Sequence, residues 1–185
     1  MKWLIASDIH GSAACCEKVL EAYEREQADR LLLLGDLLYH GPRNDFPENY
    51  DTKAVTKLLN DFADKHGQPF CVRGNCDSEV DQMVLSFPML ADYCLLESAG
   101  HLIFCTHGHL YNLETPPALR PGDVLLHGHT HLPAKDDSKG FWYLNPGSAS
   151  LPKENTPQGY MTLEGGTFLW KKLDGDCYDK LCLGE

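Results

Sequence analysis

The chain has 185 residues, enough for a single domain spanning 1–185 with a substantial core. Its 16 basic and 27 acidic side chains leave a formal net charge of -11, which argues against nucleic acid as a partner, since long-range attraction to a polyanion needs the opposite sign. No apolar run approaches the roughly 18 residues of a membrane span, and "MKWLIASD" meets Asp8 too early for a signal peptide, so a cytoplasmic protein without membrane contact is expected.

In chain order, "KWLIAS" reads as a buried strand, Ser12 to about Gln27 as a helix with apolar residues at Ala13, Cys16, Val19, Leu20 and Tyr23, and "RLLLLGD" as a second strand. This is a βαβ opening. "GPRNDFPENY" is loop by its proline, glycine and asparagine content, "TKAVTKLLNDFADKH" has helical spacing through Val55, Leu58, Leu59 and Phe62, and "PFCVRGN" is a further short strand. The second half changes character. "YCLLESAGHLIFCTHGH" predicts two strands around an Ala-Gly turn, "DVLLHGHTH" one more, and "FWYLNPGS" with "YMTLEGGTFLWKKL" antiparallel ribbon. The eight cysteines (15, 16, 71, 76, 94, 105, 177 and 182) form no CxxC pair and are expected to be free thiols, with Cys71 and Cys105 packed as small core residues.

The strand ends carry the chemistry. Asp8 and His10 follow the first strand, Asp36 the second, Asn75 and Asp77 the third, His107 and His109 "LIFCT", and His129 and His131 "DVLLHG". In open α/β sheets ligands bind outside the carboxyl ends of the strands, so residues distant in sequence converge on one site. Carboxylate, imidazole and amide oxygen together suit borderline divalent ions such as manganese, iron, cobalt, nickel or zinc. The set exceeds the needs of one ion. Two ions about 3.5–4 Å apart would share a bridging carboxylate and activate a bridging water for in-line attack on phosphorus. Phosphoester hydrolysis is the reaction class this favours.

The ordered blocks D8-x-H10, G35-D36, G74-N75-C76-D77, H107-G108 and G128-H129-x-H131 resemble the signature of the calcineurin-like metallophosphoesterases. The fuller strings "GDLLYHGPRN", "RGNCDSEVDQM", "GHTHLP" and "NPGSASLPK" resemble more narrowly the small bacterial YfcE-type phosphodiesterases. The resemblance implies a four-layer α/β sandwich with two facing mixed β-sheets. It implies one ion, most simply Mn2+, held by Asp8, His10, Asp36 and His131, and a second held by Asp36, Asn75, His107 and His129, with Asp36 bridging. The substrate class it implies is a small or aryl phosphodiester, while the residues themselves leave monoester and diester both open. Residues expected in the catalytic step are Asp36, Asn75, Cys76 and His40; those expected around the substrate are His40, Arg43, Arg73 and His109.

Cys76 departs from the wider superfamily, where a histidine assists the leaving group or the phosphoryl oxygen. A neutral thiol donates a proton but brings no full positive charge. His40 stands where the phosphoprotein phosphatase branch carries a phosphate-binding arginine; Arg43 or Arg73 is the alternative source of fixed charge. Asp77 is expected to orient Cys76 or Asn75, and His127 to be packed rather than ligating. Tyr39, Phe46, Tyr50 and Tyr111 lie in loops after metal motifs and suit stacking on a base or aryl group. No GxxxxGK[ST], GxGxxG or GxSxG motif is present. The rival reading is a metal-binding scaffold like the retromer subunit of this fold; seven ligand-competent positions favour catalysis. A homo-oligomer is compatible with the composition.

Overall fold

The computed structural model describes residues 1–184. Strand β1 (Lys2–Ala6), helix α1 (Ala13–Glu26) and strand β2 (Arg30–Leu33) make the expected βαβ opening, β1 and β2 running parallel. Helix α2 (Thr52–His66) leads into β3 (Phe70–Cys71), parallel to β2, and into the short helix α3 (Glu79–Val84). Eight strands follow: β4 (Tyr93–Ser98), β5 (His101–Thr106), β6 (Val124–Leu126), β7 (Pro133–Asp136), β8 (Trp142–Pro146), β9 (Gly159–Glu164), β10 (Thr167–Lys172) and β11 (Cys177–Cys182). Helix α3 and strands β7 and β11 are additions to the elements expected from sequence.

The long helices start on side-chain caps that satisfy otherwise orphaned amides. The Ser12 hydroxyl accepts from the Cys15 amide at 3.3 Å, and the Asp51 carboxylate from that of Ala54 at 3.0 Å. α1 buries Cys15, Cys16, Val19, Ala22 and Tyr23, and α2 buries Val55, Leu59 and Phe62, spacings that place one apolar stripe on each. Two hairpins turn on residue pairs with positive φ at both central positions, Ala99–Gly100 (53° and 81°) and Gly165–Gly166 (56° and 81°), as the right-handed strand twist requires.

The strands form two mixed sheets, one ordered β11-β10-β9-β1-β2-β3 and the other β4-β5-β6-β8-β7. β1 and β2 are buried on both faces, which is why they read as unbroken apolar runs. Leu4, Ala6, Leu31 and Leu33 pack with the helices, while Ile5, Leu32 and Leu34 meet Ile103, Cys105, Val124, Leu126 and Leu144 of the second sheet. Helices α1 and α2 cover the outer face of the first sheet, and α3 is tied to α2 where Asn60 Nδ2 donates to the Val84 carbonyl at 2.9 Å. No described helix covers the outer face of the second sheet. The loop after β5 packs there instead, its Tyr111 setting its ring 5.2 Å from Phe104 and 6.1 Å from Tyr93. Among the described residues no helix is long and apolar enough to cross a membrane.

Candidate metal centre

The loops after β1, β2, β3, β5 and β6 meet at one edge of the sandwich, and they are stitched together by backbone. The His10 amide donates to the Asp36 carbonyl at 2.8 Å, and the Gly11 amide to that of Leu37 at 2.9 Å, so the loops after β1 and β2 run as a pair. Asp8, His10, Asp36, His129 and His131 all have φ between 49° and 65°. That left-handed region is costly for residues with a Cβ, and its concentration at one site marks a backbone shaped to aim side chains inward.

Three imidazoles are locked by the same device. Nδ1 of His10 donates to the Tyr39 carbonyl at 2.8 Å, that of His107 to Leu34 at 2.7 Å, and that of His131 to Leu151 at 2.6 Å. A carbonyl only accepts, so each ring keeps its proton on Nδ1 and turns the Nε2 lone pair into the site. There the lone pairs face one another: His10 Nε2 lies 3.1 Å from His131 Nε2, and His107 Nε2 lies 3.1 Å from Asn75 Oδ1 and 3.2 Å from His129 Nδ1. Buried acceptors converging at such distances need a proton or a cation between them.

The carboxylates complete two overlapping clusters. Asp8 Oδ2 accepts from the His129 amide at 3.1 Å, while its buried Oδ1 has no hydrogen-bond partner and lies 3.3 Å from His131 Nε2. Asp36 Oδ1 accepts from the Cys76 amide at 2.8 Å, and its Oδ2 stands 3.6 Å from His10 Nε2 and 3.4 Å from His107 Nε2. Ligand atoms of Asp8, His10 and His131 lie within 4.8 Å of one another, as do those of Asp8, Asp36 and His107 and those of His10, Asp36 and Cys76. This donor set fits divalent ions: aimed lone pairs of nitrogen and oxygen, a carboxylate oxygen without a proton donor, and backbone carbonyls holding the rings from behind.

Electrostatics says the same. Burial alone would raise the Asp8 carboxyl, but His10, His131 and His107 outweigh it and hold it well below the usual carboxylate range. Burial alone would depress His107, but the Asp36 and Asp8 carboxylates raise it to about 9. His129 is pushed down to about 4 by burial and by His107. Protons on imidazoles are thus one counter-charge for the buried carboxylates, and divalent cations would be the other.

The remaining expected residues are placed unequally. A cleft of about 910 Å³ opens over the cluster, lined by Asp36, Asn75, Cys76, His129 and His131, with Arg43 on its wall. Arg73 is not on that wall; its guanidinium is committed to Asp92 at 2.7 Å. His40 is enclosed by Tyr39, Phe46 and Tyr50, with ring separations of 4.7, 4.5 and 5.2 Å, and its Nδ1 lies 3.4 Å from the Tyr50 hydroxyl. His109 sits beside His107 and His129, its ring 5.4 and 6.4 Å away, with a buried Nδ1 lacking a described partner. The Cys76 thiol is pushed up to about 12 by burial and by Asp36, so it stays protonated. His127 is packed on Tyr143, as expected, and pushed down to about 4 by burial.

Several supporting residues escaped the sequence reading. Asp77 orients neither Cys76 nor Asn75 through its side chain; its carboxylate accepts the amides of Asp36 (2.8 Å), Leu37 (2.9 Å) and Gly74 (2.7 Å), tying the loop after β2 to the loop after β3. The Ser148 and Ser150 hydroxyls both donate to the Asp8 carbonyl, at 2.9 and 2.8 Å. Lys153 lines the cleft, its amide bonded to the His131 carbonyl at 3.3 Å, and neither its ammonium nor the Arg43 guanidinium has a partner among the described residues. Gly128 and Gly74 leave no room for a side chain: a Cβ would stand 1.9 Å from Ser7 Oγ at the first and 2.0 Å from Asp36 Oδ1 at the second. The one signal available in sequence was the glycine directly before Asp36, Asn75 and His129.

Residues 1–167 match the profile of the calcineurin-like phosphoesterase superfamily domain. The chain is 47% identical over 164 residues to the phosphodiesterase YfcE of Escherichia coli K12, covering 89% of this chain and 88% of that protein. It superposes on the solved structure of YfcE, a phosphoesterase from E. coli, with a TM-score of 0.93 and 42% identity, covering 100% of both chains. Vps29 from Entamoeba histolytica, solved with zinc, shares the fold at a TM-score of 0.61 and 20% identity over 98% of each chain. Strand-end carboxylates and imidazoles, facing mixed sheets and these likenesses agree: the chain belongs to the calcineurin-like phosphoesterase superfamily.

Proposed function

We propose that the protein is a two-metal phosphodiesterase acting on small or aryl phosphodiesters. One ion would be held by Asp8, His10, Asp36 and His131 and the other by Asp36, Asn75, His107 and His129, with Mn2+ the best match to mixed oxygen and nitrogen donors. The observation that carries this reading is the position of Asp36 Oδ2, 3.6 Å from His10 Nε2 and 3.4 Å from His107 Nε2, where one oxygen serves both clusters. When bound, such ions polarise the phosphoryl oxygen and lower the pKa of water.

The protein's own groups supply position and charge. The amides of Cys76 and His129 fix the inner carboxylates, leaving one oxygen of each for the site. Arg43 and Lys153 bring fixed positive charge to a cleft in a chain of net charge -11, and they hold the anionic phosphodiester over the cluster. Cys76, protonated and at the cleft wall, offers a weak hydrogen bond to the departing oxygen but no compensating charge. Aryl leaving groups, stable as anions, therefore suit this site better than alkoxides. The eight unpaired cysteines support a reducing compartment and hence the cytoplasm. A scaffold without catalysis is the weaker reading, since every ligand position is competent here.

Turnover of bis(4-nitrophenyl) phosphate by the metal-stripped protein, before and after repletion with Mn2+ or Mg2+, tests the proposal. Multiple turnovers restored by Mn2+ and less by Mg2+ are expected. A full rate in protein shown to be free of metal would overturn it.

A further inference from the structure

Beside the metal cleft lies a second cavity of about 580 Å³, between the loop 38–50 and helix α3. Tyr39, Cys76 and Ser78 line both cavities, so the two are compartments of one trench. Most polar groups of the second compartment are already engaged, the Lys53 ammonium at its rim being without a partner among the described residues. Ser78 Oγ donates to Asp81 at 2.9 Å, Thr56 Oγ1 donates to the Thr52 carbonyl at 2.8 Å, and the Tyr50 hydroxyl lies 3.4 Å from His40 Nδ1. Apart from Lys53, what it presents to a ligand is mainly apolar: Leu38, the rings of Tyr39 and Tyr50, and Val80 and Val84.

Helix α3 is inverted for a helix of this size. None of its six residues is buried, while Val80 is 68% exposed and Val84 49% exposed, both on the trench wall. Isolated exposed valines need no explanation, but two at helical spacing facing an aromatic wall across a cavity of ligand size do. The capping box between Ser78 and Asp81 fixes the start of α3, and Gln82 holds the loop after it through the Met89 amide at 2.9 Å, so the wall is held in place without a hydrophobic anchor of its own.

Resting on the phosphodiesterase reading, we infer that this compartment binds an apolar, ring-bearing alcohol portion of the diester, with Val80 and Val84 setting its specificity. The phosphate stays over the metal cluster between Arg43 and Lys153, and the ring passes Cys76 to lie between Tyr39 and Val80. Continuity through Tyr39, Cys76 and Ser78 argues for a substrate part rather than for a second copy of the chain. The preferred substrates are then diesters with one bulky aromatic or apolar arm, and dimethyl-type diesters are poor binders.

The test uses two unreactive anions of equal charge, diphenylphosphinate and dimethylphosphinate, titrated calorimetrically into the Mn2+-loaded protein. The full chain should bind the diphenyl probe at least tenfold more tightly. The neutral pair V80N/V84N should bring the two affinities to within about twofold, whereas M83N, on the same helix but off the trench wall, should keep the preference. Equal affinities in the unaltered protein, or the same loss in M83N, would overturn the inference. So would V80N/V84N that dissociates an oligomer while keeping the preference, since the face would then belong to a second copy. Absent turnover of methyl 4-nitrophenyl phosphate with the probe preference intact would instead reject the phosphodiesterase reading alone.

Discussion

Replacing Asp77 by asparagine should damage the site without touching a ligand. The buried carboxylate receives three amides, with Oδ2 taking Asp36 and Gly74 and Oδ1 taking Leu37. Asparagine keeps one oxygen, best left on the Asp36 and Gly74 amides, and turns its NH2 against the Leu37 N–H, donor to donor. One charge-assisted hydrogen bond worth about 1.5–3 kcal/mol is lost, and the other two fall to about half their strength. Against this, burial and the Asp36 carboxylate raise the Asp77 carboxyl, so removing the charge returns part of the cost. The balance is a destabilisation of about 2 kcal/mol. Because the lost bonds set the loop that carries Asp36, a shift on the order of 1 Å there should lower kcat by about 10²-fold. Urea unfolding of the metal-free protein reads the first number and aryl phosphodiester turnover the second. Stability within about 0.5 kcal/mol together with activity within threefold would refute the argument that these amides aim Asp36.

Asp36→Asn should abolish turnover with the fold retained and metal content reduced; two bound ions with activity within tenfold, about 1.4 kcal/mol, would reject its bridging role. Cys76→His should flatten the dependence of rate on leaving-group pKa, with gains up to ~10²-fold on poorer leaving groups, measured as the slope across a substrate series. Equal slopes would remove position 76 from the leaving group and turn attention to His109. Lys153→Ala should raise KM for anionic diesters about tenfold with little change in kcat, and Lys153→Arg should restore most of it. Glu26, part-buried yet lowered to about 2 because Lys171, Tyr160 and Lys2 outweigh the desolvation, has a depressed folded pKa and so stabilises above its ordinary value of 4.5. That contribution, about 3 kcal/mol at most, should fade as pH falls from 4.5 towards 2, and Glu26→Gln should flatten the loss in acid unfolding curves.

The convergence of the candidate ligands was legible because each buried strand announces its end: an apolar run stops at Asp8, Asp36, Asn75, His107 or His129, and the strand topology brings these ends together. The aim of those side chains was not legible. Left-handed φ at Asp8, His10 and His131 leaves no mark in sequence beyond residue types that tolerate it. Asp77 gave no sign of its role because its three partners belong to two loops that meet only in the fold. Lys153 reaches the cleft through a bond to the His131 carbonyl, a contact that no periodicity encodes. Strand β11 lacks the alternation that would have flagged it, since "CYDKLC" lies on an open edge and buries no continuous face. Arg73 and Arg43 were indistinguishable as sequence; only the position of Asp92 separates a spent cation from a free one.

Strand β1 lies between β2, made soon after it, and β9, whose Met161–Glu164 pair with Lys2–Ile5. On a ribosome adding about 5–20 residues each second, the first strand therefore waits many seconds for one of its two neighbours. Asp8 waits as well, since the hydroxyls that hold its carbonyl come from Ser148 and Ser150. The nascent chain thus displays an apolar strand with an open edge, next to carboxylates and imidazoles not yet arranged as a site. Such pairing across the whole length folds slowly and exposes the edge to aggregation meanwhile. Synthesis of β9, rather than of the βαβ opening, is then the event after which β1 has both neighbours and Asp8 its anchors, and a chain stopped before β9 would keep that edge open.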